Sequence, residues 1–212
     1  MISQCLVLLE LKQLIGIDFS SFRVLNVEFG VNLKGLIKSS LILNYCLIAG
    51  STKIKDVSLS NWQSNYKQAT KQNYWIKLYD KKKQYKDEFN LTDDILRFEI
   101  KYKRMVALNN LGFYCMNDLL DKAIVSQIIN EVVKCWDSII LFDKSIKKES
   151  LTRYEKEVKI NQWNNANYWL ELKPKERFKQ KQKYNEVVKK HSNNVHLEVR
   201  ARILSKLNNL SS

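Results

Sequence analysis

Residues 74–104, YWIKLYDKKKQYKDEFNLTDDILRFEIKYKR, read as two strands joined by a long charged turn. Side chains alternate across a strand. From Ile95 to Arg104 one side therefore carries Leu96, Phe98, Ile100 and Tyr102, and the other Arg97, Glu99, Lys101 and Lys103. In YWIKLYDK, Lys77 and Tyr79 share one side, with Ile76, Leu78 and Asp80 on the other. Two such segments in succession are most simply antiparallel neighbours. The chain is thus expected to contain a sheet with one apolar and one cationic face, on which Glu99 is a lone acid in a row of cations.

Upstream, RVLNVEFGVNLK alternates in the same way, with Leu25, Val27, Phe29, Val31 and Leu33 facing Asn26, Glu28, Gly30 and Asn32. It predicts a further half-buried strand with Glu28 as its one acid. GLIKSSLILNYCLIA then reads as a helix over the apolar side, ended by Gly50, and residues 51–73 as polar and irregular with a short edge strand. Downstream, MVALNNLG predicts a short helix closed by Gly112. A long helix follows, capped by Asn117 or Asp118, its apolar positions Leu120, Ile124, Ile128, Val132, Trp136 and Ile140 recurring about every four residues.

Composition agrees with an α+β class, a small antiparallel sheet packed by helices and followed by a basic helical C-terminal region. In 212 residues, 45% hydrophobic content is enough for a core, while five glycines and one proline supply little of the turn chemistry that sandwiches and small barrels need. Residues 1–143 are expected to form the core unit and 144–212 the basic region, which holds 17 Lys or Arg against 7 Glu and so +10 of the whole +14. That charge, with pI near 9.5, implies a polyanionic partner, nucleic acid first. Lys173, Lys175, Arg177, Lys179 and Lys181 are candidate phosphate contacts. Trp163, Tyr168, Trp169, Phe178 and Tyr184, set among those cations, suit either a small core or bases stacking on rings. Val195, Val199, Ile203 and Leu207 outline a final amphipathic helix.

Other chemistries are excluded. The opening MISQCLVLLELKQLIGI is interrupted by Glu10 and Lys12, and LILNYCLIA falls short of the roughly 20 residues of a membrane span, so a soluble, cytoplasmic protein is expected. Cys5, Cys46, Cys115 and Cys135 are too dispersed for a zinc site and read as free thiols. His191 and His196 are five apart, the wrong spacing for a metal pair, and read as surface residues. No P-loop, dinucleotide fingerprint or Ser/His/Asp signature occurs, and no small-molecule cofactor is implied.

Glu28 and Glu99 admit two readings. They are either surface acids paired with Lys77, Arg97 or Lys101, or two oxygen ligands rising from one sheet face to hold Mg2+ or Mn2+. Tyr79, on the cationic face, is the best placed of the ten tyrosines to act as a nucleophile.

IKLYDKKKQY paired with ILRFEIKYKRM, and preceded by NVEFGVNL, resembles the replication initiation proteins of phages and plasmids, the rolling-circle initiators, in the form found in Bacteroidetes phages and mobile elements. The likeness extends from about Phe22 to Leu210. It implies a metal-dependent strand-nicking transesterase acting on single-stranded DNA at a replication origin, inside a bacterial host and together with the host replication machinery. Glu28 and Glu99 match the acids of its strand motifs, and Lys77, Tyr79, Asp80, Lys81, Arg97 and Lys101 its cationic and YDK positions. Two features depart from the pattern: MVALNN, where related initiators carry the nucleophilic tyrosine, has none, and the His-hydrophobe-His motif of other nicking enzymes is missing. A chain shortened at its N-terminus, or a non-catalytic nucleic-acid-binding remnant, is the alternative that the likeness implies.

Overall fold

The computed structural model describes residues 13–14, 16, 18, 20–35, 38–57, 66–84 and 93–211. Its elements, in chain order, are β1 (Val27–Lys34), α1 (Ser39–Tyr45), β2 (Cys46–Ala49), β3 (Thr52–Lys53), β4 (Lys55–Asp56), β5 (Tyr66–Thr70), β6 (Tyr74–Asp80), α2 (Lys81–Gln84), β7 (Ile95–Tyr102), α3 (Val106–Asn109), α4 (Lys122–Asp137), β8 (Ile139–Leu141), α5 (Ile160–Trp163), α6 (Ala166–Glu171), α7 (Pro174–His191) and α8 (Val195–Ser211). The class is α+β. One antiparallel sheet runs β1-β7-β6-β5-β4, and a smaller one β3-β2-β8.

The three alternating segments lie side by side at one end of the larger sheet, β7 between β1 and β6. Their apolar sides make a single surface on which Leu33, Ile76, Leu78, Leu96, Phe98, Ile100 and Tyr102 are all fully buried. Helices pack on it: Ile42 and Leu43 of α1, Leu108 of α3, Ile128, Val132 and Trp136 of α4 and Val195, Val199, Ile203 and Leu207 of α8 belong to the same core. Every Leu, Ile or Phe so buried contributes roughly 1.5–3 kcal/mol. That burial, not helix propensity, holds α4 and α8 in place.

A second core sits beside the first. Ile48 of β2, Ile140 of β8 and Phe142 meet Trp163, Trp169, Tyr184, Val187 and Val188 of the C-terminal helices. The Tyr184 hydroxyl donates to Leu141 O at 2.8 Å and accepts from Asp143 N at 2.7 Å, which pins α7 to the end of β8. Asp143 is buried with both oxygens satisfied. It accepts from Ser145 N at 2.9 Å, Ser192 Oγ at 3.1 Å and Val195 N at 2.9 Å, and so fixes the sharp connection between α7 and α8. Asn194 in that connection has φ of 52°, the left-handed conformation that Asn tolerates better than most residues. Both cores therefore draw on residues from either side of Lys144, and the basic C-terminal third is woven into the first core by α8.

Several expectations change. The apolar run before Gly50 is helical only to Tyr45; Cys46–Ala49 is β2, paired on both edges. Residues 51–73 contain β5, a full partner of β6, as well as the short β3 and β4. The long helix starts at Lys122 with Asp121 as cap, its carboxylate accepting from Ala123 N at 2.7 Å, because Met116–Leu120 forms a separate 3-10 turn. It ends at Asp137, so Ile140 belongs to β8. His196 is no surface residue. Its ring stacks on Trp136 with centroids 5.1 Å apart, and burial pushes its pKa down to about 4, helped by Lys181 nearby and opposed by the Trp136 carbonyl. Cys46, Cys115 and Cys135 are free, burial raising Cys46 to about 12 and Cys135 to about 11, so neither is a reactive thiolate; Cys5 lies outside the described residues. Among the described residues no helix is long and apolar enough to cross a membrane.

Candidate active site on the polar face of the sheet

Strand register decides which polar side chains meet. Gly30 of β1 faces Glu99 of β7, which faces Lys77 of β6 and through it Gln68 of β5. One step along, Asn32, Arg97, Tyr79 and Tyr66 form a parallel row; one step the other way, Glu28, Lys101, Trp75 and Thr70 form a third. Because residues two apart share a side, all three rows lie on the same face.

Glu99 is the hub. Although it lies on the polar face, it is only 5% exposed. Its Oε1 accepts from Tyr79 Oη at 2.8 Å and from Arg97 Nε at 2.6 Å, and Lys77 Nζ lies 3.6 Å from Oε2. Lys77 Nζ also donates to Glu28 Oε2 at 2.8 Å, so one ammonium bridges the two acids. Arg97 Nη1 donates to Asn32 Oδ1 at 3.1 Å, and Tyr66 Oη to Gln68 Oε1 at 2.7 Å.

The two carboxyl groups touch, and the contact splits their acidities. Burial alone would raise both. Glu99 is nonetheless held down at about 2, because Glu28, Arg97 and Tyr79 all hydrogen-bond its ionised form. Glu28 is pushed up, by burial first and by the Glu99 carboxylate second, with Lys77 pulling the other way. The two acids therefore lose their protons in sequence, Glu99 before Glu28. Two oxygen donors set side by side against one ammonium are a pair that a hard cation could bridge in its place.

Gly30 makes the convergence possible. A Cβ there would come within 2.7 Å of both Arg97 Nη2 and Glu99 Cγ. Only a bare backbone leaves the notch in which the guanidinium and the Glu99 stem lie. Gly30→Ala is expected to displace Arg97 from Asn32 and to cost about 1–3 kcal/mol in urea unfolding. A loss below about 0.5 kcal/mol would mean that the notch is not filled as described.

The remaining candidates divide. Lys101 and Lys103 flank the Trp75 ring, their Nζ atoms 5.9 and 4.8 Å from its centroid. Lys81 opens α2, directly after Asp80, which is buried and accepts from Lys83 N at 3.2 Å, as a turn-former does. Lys173, which precedes α7, and Lys175 and Lys179 on it are exposed. Arg177 and Lys181 are committed elsewhere: Arg177 donates to the carbonyls of Trp169, Leu170 and Leu172, closing the C-terminus of α6, and Lys181 donates to Asp137 O at 2.6 Å at the end of α4. Trp163, Trp169 and Tyr184 are core residues, not stacking surfaces, whereas Phe178 is 63% exposed. Among the other tyrosines, Tyr102 is buried and its pKa is raised far above its ordinary value, and Tyr66 is pushed up to about 12, by burial in both cases.

Sequence inspection passed over Gly30, Asn32, Tyr66, Gln68 and Trp75. Gly30 and Asn32 lay on the polar side of a recognised strand. Tyr66 and Gln68 belong to β5, whose short, polar sequence carries little strand signal. Among the described residues no group of three or more His, Cys, Asp or Glu gathers, so Glu28 and Glu99 are the acids available at this face. No family model, curated protein or solved structure matches the chain.

Proposed function

We propose that this protein is a rolling-circle replication initiator of a phage or plasmid, which nicks and rejoins single-stranded DNA through Tyr79 in the cytoplasm of a bacterial host, before the host replication machinery extends the freed end. One observation carries the reading. The YDK and RFE segments lie on adjacent strands, so that a tyrosine hydroxyl, two touching carboxylates, a lysine and an arginine converge on one face.

In the reaction, Tyr79 Oη bonds to phosphorus, the P–O3′ bond breaks, and the phenolic proton passes to water, while the Glu99 carboxylate that accepts from Tyr79 Oη holds the hydroxyl in place. The departing 3′ oxygen takes a proton from water and is left as a free 3′-OH; the downstream strand remains attached through a 5′-phosphotyrosine. Arg97, with Lys101 along the same strand, neutralises the phosphate. Glu28 and Glu99 fit a hard divalent cation in donor type, and the Lys77 ammonium that lies against both marks the place it would take. Mg2+ or Mn2+ held there would polarise the phosphoryl oxygen. Lys77 would then turn from the acids to the phosphate.

The second reading, a nucleic-acid-binding protein that cleaves nothing, is favoured by that same Lys77. Its ammonium already satisfies both carboxylates without a metal, and Tyr79 is only 7% exposed.

The discriminating experiment offers a pool of 3′-labelled single strands of randomised sequence to the protein with Mn2+ or Mg2+, and resolves the products under denaturing conditions. A labelled band travelling with the protein is expected, absent with chelator, absent from Tyr79→Phe and reduced at least about a hundredfold in Glu28→Gln. No band from wild-type protein, or an undiminished band from Tyr79→Phe, refutes nicking by Tyr79.

A further inference from the structure

Trp75 is on the wrong side of its strand for a core residue. Its neighbours on β6, Ile76 and Leu78, are fully buried on the apolar face, and Trp136, Trp163 and Trp169 are buried at 0%, 2% and 0% exposure. Trp75 instead stands partly exposed on the polar face, between Lys101 of β7 and Thr70 of β5. A large ring left out of the core forgoes most of its burial energy. Here it is overlaid by two cations, Lys103 Nζ at 4.8 Å and Lys101 Nζ at 5.9 Å from its centroid.

We infer that Trp75 is a base-stacking platform for single-stranded DNA, with Lys101 and Lys103 holding the phosphates on either side of the stacked nucleotide. This rests on the proposed function and adds to it the seat of the strand beside the reacting centre. The lysines select the class of partner. An apolar protein surface would not tolerate two ammonium groups above the contact ring, whereas a nucleotide brings a flat π face together with a negative charge. Paired bases in a duplex hide their faces, so the platform takes single strands. Position along β6 supports the same reading. Trp75 and Lys77 are two residues apart, about 6.7 Å along the strand, and Lys77 contacts Glu28 and Glu99. A base on Trp75 therefore sets the neighbouring phosphate beside the Lys77 ammonium, which in turn contacts the acid pair.

The test is equilibrium binding of labelled single strands to wild-type, Trp75→Ala and Trp75→Phe proteins without divalent metal, with a strand carrying one abasic position as the second variable. Trp75→Ala is expected to bind at least about tenfold more weakly, and Trp75→Phe, which keeps a stacking ring, within about threefold of wild type. An abasic position at the platform should weaken wild-type binding by a similar factor and leave Trp75→Ala unaffected. Far-UV circular dichroism confirms that both variants fold. Wild-type protein that binds no single strand, Trp75→Ala binding within twofold of wild type, or equal affinity for a duplex of the same sequence would each overturn the proposal. Adduct formation is absent from this readout, so loss of the nicking reading leaves the stacking result to stand or fall by itself.

Discussion

Replacing Trp136 by alanine is expected to remove about 4 kcal/mol of stability and to lower Tm by roughly 8–16 °C. Trp136 is fully buried where α4, β7 and α8 meet. Its ring stands edge-on to Phe98 with centroids 5.4 Å apart and stacks on His196 at 5.1 Å, and its Nε1 donates to His196 O at 3.1 Å. Truncation thus opens a cavity and also strips the hydrogen bond that ties the start of α8 to α4. Trp136→Phe separates the two effects. It keeps most of the ring and loses the N–H, so it should cost about 1–2 kcal/mol. Scanning calorimetry measures both. If Trp136→Ala melts within 3 °C of wild type, the first core does not depend on α8 as described.

How far the sequence revealed this arrangement depended on the length and purity of each pattern. β1, β6 and β7 alternate over seven or eight residues, and a half-buried strand is the one element that such alternation describes. Glu28 and Glu99 could be placed on one face because each lies on the polar side of its strand. Cys46–Ala49 could not be recognised as a strand. It is apolar at every position, since it packs on both faces and pairs on both edges, and a short apolar run reads equally well as the end of a helix. Arg177 and Lys181 illustrate a different limit. Their charge suggested phosphate contacts, but their donors go to backbone carbonyls, in the case of Lys181 44 residues away, and no local pattern announces such a partner. Trp75 illustrates the opposite limit: alternation alone puts it on the side of Lys77, but an aromatic residue in a strand ordinarily packs, and only the register shows that it stands opposite Lys101.

Glu99→Ala should be the most damaging substitution on the polar face, for stability as well as for any chemistry. Removing one partner of a buried charge cluster costs about 3–5 kcal/mol, because the groups left behind are not rehydrated. Here Arg97 Nε and Tyr79 Oη would lose their acceptor, and Lys77 would keep Glu28 alone. The pH dependence gives an independent reading. With the folded pKa of Glu99 at about 2 and the unfolded value near 4.5, folding favours the ionised form. Its contribution is complete above about pH 4.5 and is lost as pH falls towards 2. Glu28 works in the opposite sense. Its pKa is raised, so its contribution is present at low pH and fades as pH rises through the raised value, which softens the acid limb without reversing it. Urea unfolding at pH 7 and pH 3 should therefore show wild-type protein losing stability on acidification and Glu99→Gln losing much less. Lys77→Met, added to Glu99→Ala, should recover part of the deficit, because it removes a cation that then has one acid too few. If Glu99→Ala costs less than about 1 kcal/mol at pH 7, the cluster behaves as a hydrated surface network. Tyr79 would then be held by nothing stronger than an exposed ion pair, too loosely to be positioned for attack.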